Sequence, residues 1–113
     1  MDTRDIITAL SALAQATRLE TFRLLVAHEP AGVAAGEIAR LAGVPQNTMS
    51  THLAILARAG LVSGVRQSRS VIYRANLERF HEVASYLVRD CCCGRPQLCG
   101  LLPETQPSTA QRR

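Results

Sequence analysis

Apolar residues recur along this chain at helical spacing, with a single stretch where they alternate, and that pattern lays out the elements. From Asp5 to Ala14, Ile6, Ile7, Leu10 and Leu13 form one stripe in need of a partner. Thr17-Arg18-Leu19-Glu20 has the form of a capping box, with Thr17 as N-cap and Glu20 reaching back. The helix it opens runs to about His28 and is expected to bury Leu19, Phe22, Leu25 and Val26. Pro30, Gly32 and Gly36 mark a loop. A short helix then covers Glu37 to Ala42, with Ile38 and Leu41 on one side, and Gly43 ends it. Pro45 suits the first turn of the next helix, whose buried stripe is Val44, Met49, Leu53 and Leu56. After Gly60 the period changes to two. Leu61–Arg66 and Ser70–Arg74 read as strands joined through Gln67, Ser68 and Arg69. Asn76 then caps a last helix, where Leu77, Phe80, Val83, Ala84, Leu87 and Val88 make a narrow seam.

The face of the Pro45 helix opposite its apolar stripe carries Gln46, Asn47, Ser50, Thr51 and Arg58. Short donors and acceptors at a helix N-terminus are what a DNA major groove admits at close range. A long solvated helix would more usually show Glu and Lys there. Two helices about the Gly43 turn therefore read as a helix-turn-helix, and the hairpin with Arg66 and Arg69 at its tip makes it winged. The expected fold is mainly α with a small β-hairpin, dimeric through the apolar stripes of the first and last helices. Wing arginines in such a fold meet phosphates or the minor groove and position the protein, although Arg69 alone is equally a solvated loop charge.

Charge sharpens this reading. From Ile38 to Leu77 there is no Asp or Glu and there are five Arg, so this stretch holds +5 and the remainder of the +4 chain holds −1. A positive centre on the candidate reading helix favours a polyanion as partner. At 113 residues, 47% of them hydrophobic, the chain has material for one core, built from aliphatic residues because only two Phe and two Tyr are present. No apolar run approaches the roughly 20 residues needed to span a bilayer, and no signal peptide is visible. The expectation is a cytoplasmic protein with no membrane association. Four cysteines in that compartment argue for metal or redox chemistry over structural disulfides.

ALAQATRLETFRLL, GEIARLAGVPQNTMSTHLAILARAGLV and VRQSRSVIYRA together resemble the ArsR/SmtB family of metalloregulatory repressors, over about Ile6 to Cys93. The resemblance implies a homodimer that binds double-stranded operator DNA with inverted repeats and leaves it when an inducer binds. It places Gln46, Asn47, Thr48, Ser50, Thr51 and His52 in or beside the DNA-facing part. Pro45 stands where the family often has a capping Ser. His52 has no Cys or Asp near it in sequence, so a phosphate contact or a hydrogen bond within the fold is expected of it. Residues 1–93 would form the DNA-binding and dimerisation domain, 91–102 a cysteine inducer-binding segment, and 103–113 a polar, Pro-containing disordered tail.

The family's inducer sites vary in place. A thiolate site on the first reading helix would need Cys within GEIARLAG, which has none, and His81 with Glu82 does not supply the ligand pairs of a zinc site on the last helix. All four cysteines fall within Cys91-Cys92-Cys93-Gly-Arg-Pro-Gln-Leu-Cys99. Neighbouring helical residues point about 100° apart, so Cys92 and Cys93 converge only where the helix end unwinds, which Gly94 and Pro96 permit while bringing Cys99 back. Three thiolates with no nitrogen or carboxylate suit trivalent arsenic or antimony. The C-C-x5-C pattern also resembles an arsenic-responsive subgroup of the family, with Cys91 as an extra thiol. Cadmium or lead on the same thiolates, a Cys₄ zinc site without the usual C-x₂-C pairs, and thiol redox or persulfide sensing stay open. An enzyme would need a cysteine cradled by anion-binding backbone among alternating strands and helices. The pattern offers neither, so no catalytic residue or catalytic cofactor is expected.

Overall fold

Helix starts and stops in this chain follow local hydrogen-bonding chemistry. The computed structural model describes residues 2–91. In chain order these form α1 (Thr3–Leu13), α2 (Ala16–Ala27), β1 (Val33–Ala34), α3 (Ala35–Ala42), α4 (Gln46–Arg58), β2 (Val62–Gln67), β3 (Ser70–Ala75) and α5 (Leu77–Cys91). Asp2 caps α1 by accepting from the Asp5 N–H at 2.9 Å. Gln15, extended at φ −153°, caps α2 by accepting from the Arg18 N–H at 2.9 Å. The capping box expected at Thr17 does not form, because α2 has already begun at Ala16 and Thr17 lies in its first turn.

The core is built from Ile6, Ala9 and Ala12 of α1, Phe22 and Leu25 of α2, Ile38 of α3, and Met49, Leu53 and Leu56 of α4. Several expected core residues face outward. Leu19 and Val26 of α2 are 44% and 38% exposed, and Leu41 of α3 is 46% exposed. In α2 the buried side runs through Thr21, Phe22 and Leu25, which leaves Leu19 and Val26 on its flanks. Thr21 is admitted to the core because its hydroxyl donates to the Met49 Sδ at 3.8 Å. On α1, likewise, the buried side is Ile6–Ala9–Ala12, while Ile7 and Leu10 point to solvent.

The hairpin gains a third strand. β1 pairs with β3 through Val33 with Tyr73 and Ala34 with Ile72, giving an antiparallel sheet in the order β1-β3-β2. Gly32 enters β1 at φ +81°, and a Cβ there would stand 2.7 Å from the Tyr73 carbonyl oxygen, so only glycine fits. At the root of the wing, Glu29 accepts from Arg74 Nη2 at 2.8 Å and from the Ala75 N–H at 3.1 Å. Asn76 donates to the Gly60 carbonyl at 3.0 Å and caps α5 by accepting from the Arg79 N–H at 3.2 Å. From Phe80 onward the chain forms a second unit. There Val83 is buried, while Phe80 and Leu87 are 40% and 37% exposed.

Candidate nucleic-acid interface

The turn between α3 and α4 is made by one glycine and one proline. Gly43 takes the left-handed conformation, φ +73°, and its N–H bonds to the Ala39 carbonyl at 2.9 Å. The Val44 N–H reaches the same carbonyl at 3.1 Å, so α3 ends in a double-bonded cap. Pro45 is extended and serves as N-cap, and α4 begins at Gln46. This carries Met49, Leu53 and Leu56 inward and turns the other side of α4 to solvent.

On that outer side Gln46, Asn47, Thr48, Ser50, Thr51 and Arg58 are all exposed. Asn47 Oδ1 accepts from the Thr48 N–H at 2.9 Å, which leaves its amide protons to donate elsewhere. The Thr51 hydroxyl donates back to the Asn47 carbonyl at 3.3 Å. Gln46 lies over Gly36 at the start of α3, where a Cβ would come within 2.8 Å of its Nε2. The outer side of α4 from Gln46 to Thr51 is therefore polar and carries no carboxylate of its own.

His52 is only half-buried. Its Nδ1 lies 3.3 Å from Arg18 Nη1, and Arg18 Nε donates to the Ala12 carbonyl at 2.6 Å. Of the roles open to His52 in the sequence, a hydrogen bond within the fold is therefore present. Arg18 was not among the residues the sequence singled out. The signal was faint: a cation in the first turn of a helix, where it opposes the helix dipole and needs another reason to be there.

The five arginines of the acid-free stretch divide into two groups. Arg40 pairs with Glu37 one turn before it, and Arg74 pairs with Glu29, so both are neutralised by acids lying outside that stretch. The hydrogen bond from each arginine, followed by its charge, holds the Glu37 and Glu29 carboxyls below their ordinary range. Arg58 at the end of α4, Arg66 on β2 and Arg69 at the wing tip are exposed and make no hydrogen bond or ion pair with the described residues. The tip is a two-residue connection closed by the pair Gln67–Ser70, with Ser68 at φ 58°.

Cys91 is the last residue of α5, while Cys92, Cys93 and Cys99, with the segments 92–102 and 103–113, lie outside the described residues. Among the described residues no three His, Cys, Asp or Glu side chains gather to hold a metal, and no helix is long and apolar enough to cross a membrane.

Residues 13–65 match the family model of a helix-turn-helix domain. With the three-stranded sheet behind it, this defines the chain as a winged helix-turn-helix protein. A comparison with curated proteins finds no match. Among solved structures it is similar to an ArsR-like transcriptional regulator from Rhodococcus sp. RHA1, at 26% identity over 87% of this chain and 90% of that one, with a TM-score of 0.71. It is also similar to the homodimeric winged helix-turn-helix DNA-binding domain of Mb0332 from Mycobacterium bovis, a possible ArsR-family transcriptional regulator. The identity there is 26% over 80% of each chain, with a TM-score of 0.64. A possible transcriptional regulator for arsenical resistance matches at 22% identity over 82% of this chain and 91% of that one, with a TM-score of 0.62; that likeness speaks for the fold alone. The first two support kinship with ArsR regulators.

Proposed function

We propose that this protein is an ArsR-type transcriptional repressor. In this reading a homodimer sets two α4 helices into successive major grooves of an operator, about 34 Å apart, with each wing against the backbone. The observation that carries it is the outer side of α4. Gln46, Asn47, Thr48, Ser50 and Thr51 stand exposed with no carboxylate among them, and Arg58 at the end of α4 with Arg66 and Arg69 of the wing is left unpaired among the described residues. Two-fold association through α1 and α5 is supported by the outward apolar side chains on each helix, Ile7 and Leu10 on the first and Leu77, Phe80 and Leu87 on the last. The homodimeric state of the Mycobacterium bovis domain supports it as well.

The inducer in this reading is trivalent arsenic or antimony held by Cys92, Cys93 and Cys99, with Cys91 as an additional thiol. The support is the donor set: soft sulfur alone, clustered where Gly94 and Pro96 let the chain turn back. Drawing three thiolates to one centre disturbs the end of α5, and through the dimer contact it alters the spacing of the two reading helices. A coupling of only about 1.4 to 2.8 kcal/mol between inducer and DNA lowers operator affinity by about tenfold to hundredfold. The protein acts as a cytoplasmic regulator and not as an enzyme.

The test uses a duplex that the purified protein selects from a random-sequence pool. Ser50→Ala and Asn47→Ala should weaken binding to that duplex while arsenite binding stays intact. An unchanged footprint for both variants would remove α4 as the reading helix.

A further inference from the structure

Arg18 reaches two acceptors that belong to two other helices. Its Nε donates to the Ala12 carbonyl in the last turn of α1 at 2.6 Å, and its Nη1 stands 3.3 Å from Nδ1 of His52 on α4. A guanidinium can only donate. The contact therefore requires a lone pair on Nδ1, which the ring supplies when its proton sits on Nε2. A lysine, with one nitrogen, could not serve both acceptors in this fork geometry. His52 follows the exposed Thr48 by one helical turn and itself keeps exposed surface.

We propose that Arg18 is a positioning residue for DNA binding, which fixes His52 in the Nε2–H tautomer so that His52 donates a hydrogen bond to a DNA phosphate. This rests on the DNA-binding reading and deepens it. It reconciles the two roles the sequence left open for His52, since one ring edge serves the fold and the other serves the ligand. It also gives the arginine a purpose that burial alone does not. Without it, the imidazole divides between two tautomers, and only one of them offers a donor at Nε2. Because Arg18 also holds the end of α1, a displacement of that helix would reach the reading helix through a single side chain.

Three measurements test it. Long-range proton–nitrogen NMR spectra of the whole protein should show His52 as the Nε2–H tautomer, shifting to a mixture in Arg18→Met. Wild-type protein in the Nδ1–H form would overturn the proposal without reference to any variant. Next, affinity for the selected duplex separates the two ring edges, because a glutamine amide nitrogen reaches roughly where Nε2 stands and an asparagine amide roughly where Nδ1 stands. His52→Gln should bind within about threefold of wild type and His52→Asn about a hundredfold more weakly, the loss expected for one hydrogen bond to a charged group in each protomer of the dimer. Asparagine equal to or better than glutamine would mean that the ring serves only Arg18. Last, Arg18→Met should weaken binding about fourfold in wild type, about twofold for each of the dimer's two rings, but leave it unchanged within about 1.5-fold in the His52→Gln background, since non-additivity marks residues that act through one another. Equal losses in both backgrounds would overturn the proposal. If Ser50→Ala weakens binding as expected while these results fail, the DNA-binding reading stands and only the role of Arg18 is lost. If no α4 substitution affects binding, both fall.

Discussion

The division of the arginines makes a quantitative prediction about salt. Arg58, Arg66 and Arg69 are exposed and unpaired among the described residues, whereas Arg40 and Arg74 are tied to Glu37 and Glu29. If these three cations of each chain, six in a dimer, each meet a phosphate, the slope of log affinity against log salt is about −5.4. Raising salt from about 50 to about 200 mM should then weaken operator binding by about two-thousandfold. Replacing Arg69 by Gln in both protomers removes two phosphate contacts, which flattens the slope by about 1.8 and reduces the same loss to about 150-fold. Arg40→Gln should leave the slope unchanged, because Glu37 already occupies that guanidinium. Fluorescence anisotropy of a labelled duplex across a salt series measures both variants directly. If Arg40→Gln flattens the slope as much as Arg69→Gln, or if Arg69→Gln leaves it unchanged, the assignment of contacts from ion pairing is wrong.

Three further outcomes are expected. Gly32→Ala combines a left-handed backbone with a Cβ 2.7 Å from the Tyr73 carbonyl oxygen, and should cost about 2 kcal/mol or more in urea unfolding; a cost near zero would mean the entry to β1 can relax. Glu29, whose carboxyl the Arg74 hydrogen bond holds below its ordinary 4.5, contributes stability that is present above that value and lost as pH falls through the lower folded-state value. Glu29→Gln should therefore melt at lower temperature near neutral pH, and its disadvantage should shrink on acidification below about pH 4.5; a pH-independent difference would refute the pairing. Leu10→Arg, at an outward position of α1, should leave the helical spectrum intact yet give monomers in sedimentation, and a persistent dimer would take α1 out of the interface.

How far the chain could be read from its residues depended on whether local pattern or distant partners decided each feature. The reading helix was legible because Met49, Leu53 and Leu56 repeat at helical spacing while the other side carries short polar groups. Gly43 and Asn76 announced their caps through local geometry alone. β1 was not legible: two residues cannot show alternation, and only Tyr73 and Ile72 of β3 make Val33 and Ala34 a strand. The start of α2 was misplaced because a glutamine at position 15 can cap as well as a threonine at 17. Leu19, Val26 and Leu41 match the apolar pattern yet face outward, since pattern gives a stripe and not its rotation toward the core. The acid-free stretch was visible but overstated, because Glu29 and Glu37 come to it from outside. Arg18 escaped notice for the same reason: its partners lie on α1 and α4.

The joining of thiol chemistry at the C-terminal end to a DNA-reading helix is tested most directly by titrating arsenite into the preformed complex of protein and selected duplex. Anisotropy should fall as the wild-type protein leaves the DNA, while Cys99→Ser binds the duplex normally and stays bound. Antimonite should act as arsenite does, and cadmium, lead and peroxide should act weakly or not at all. A wild-type complex that holds through saturating arsenite, or a Cys99→Ser complex that dissociates as readily as wild type, would contradict the account.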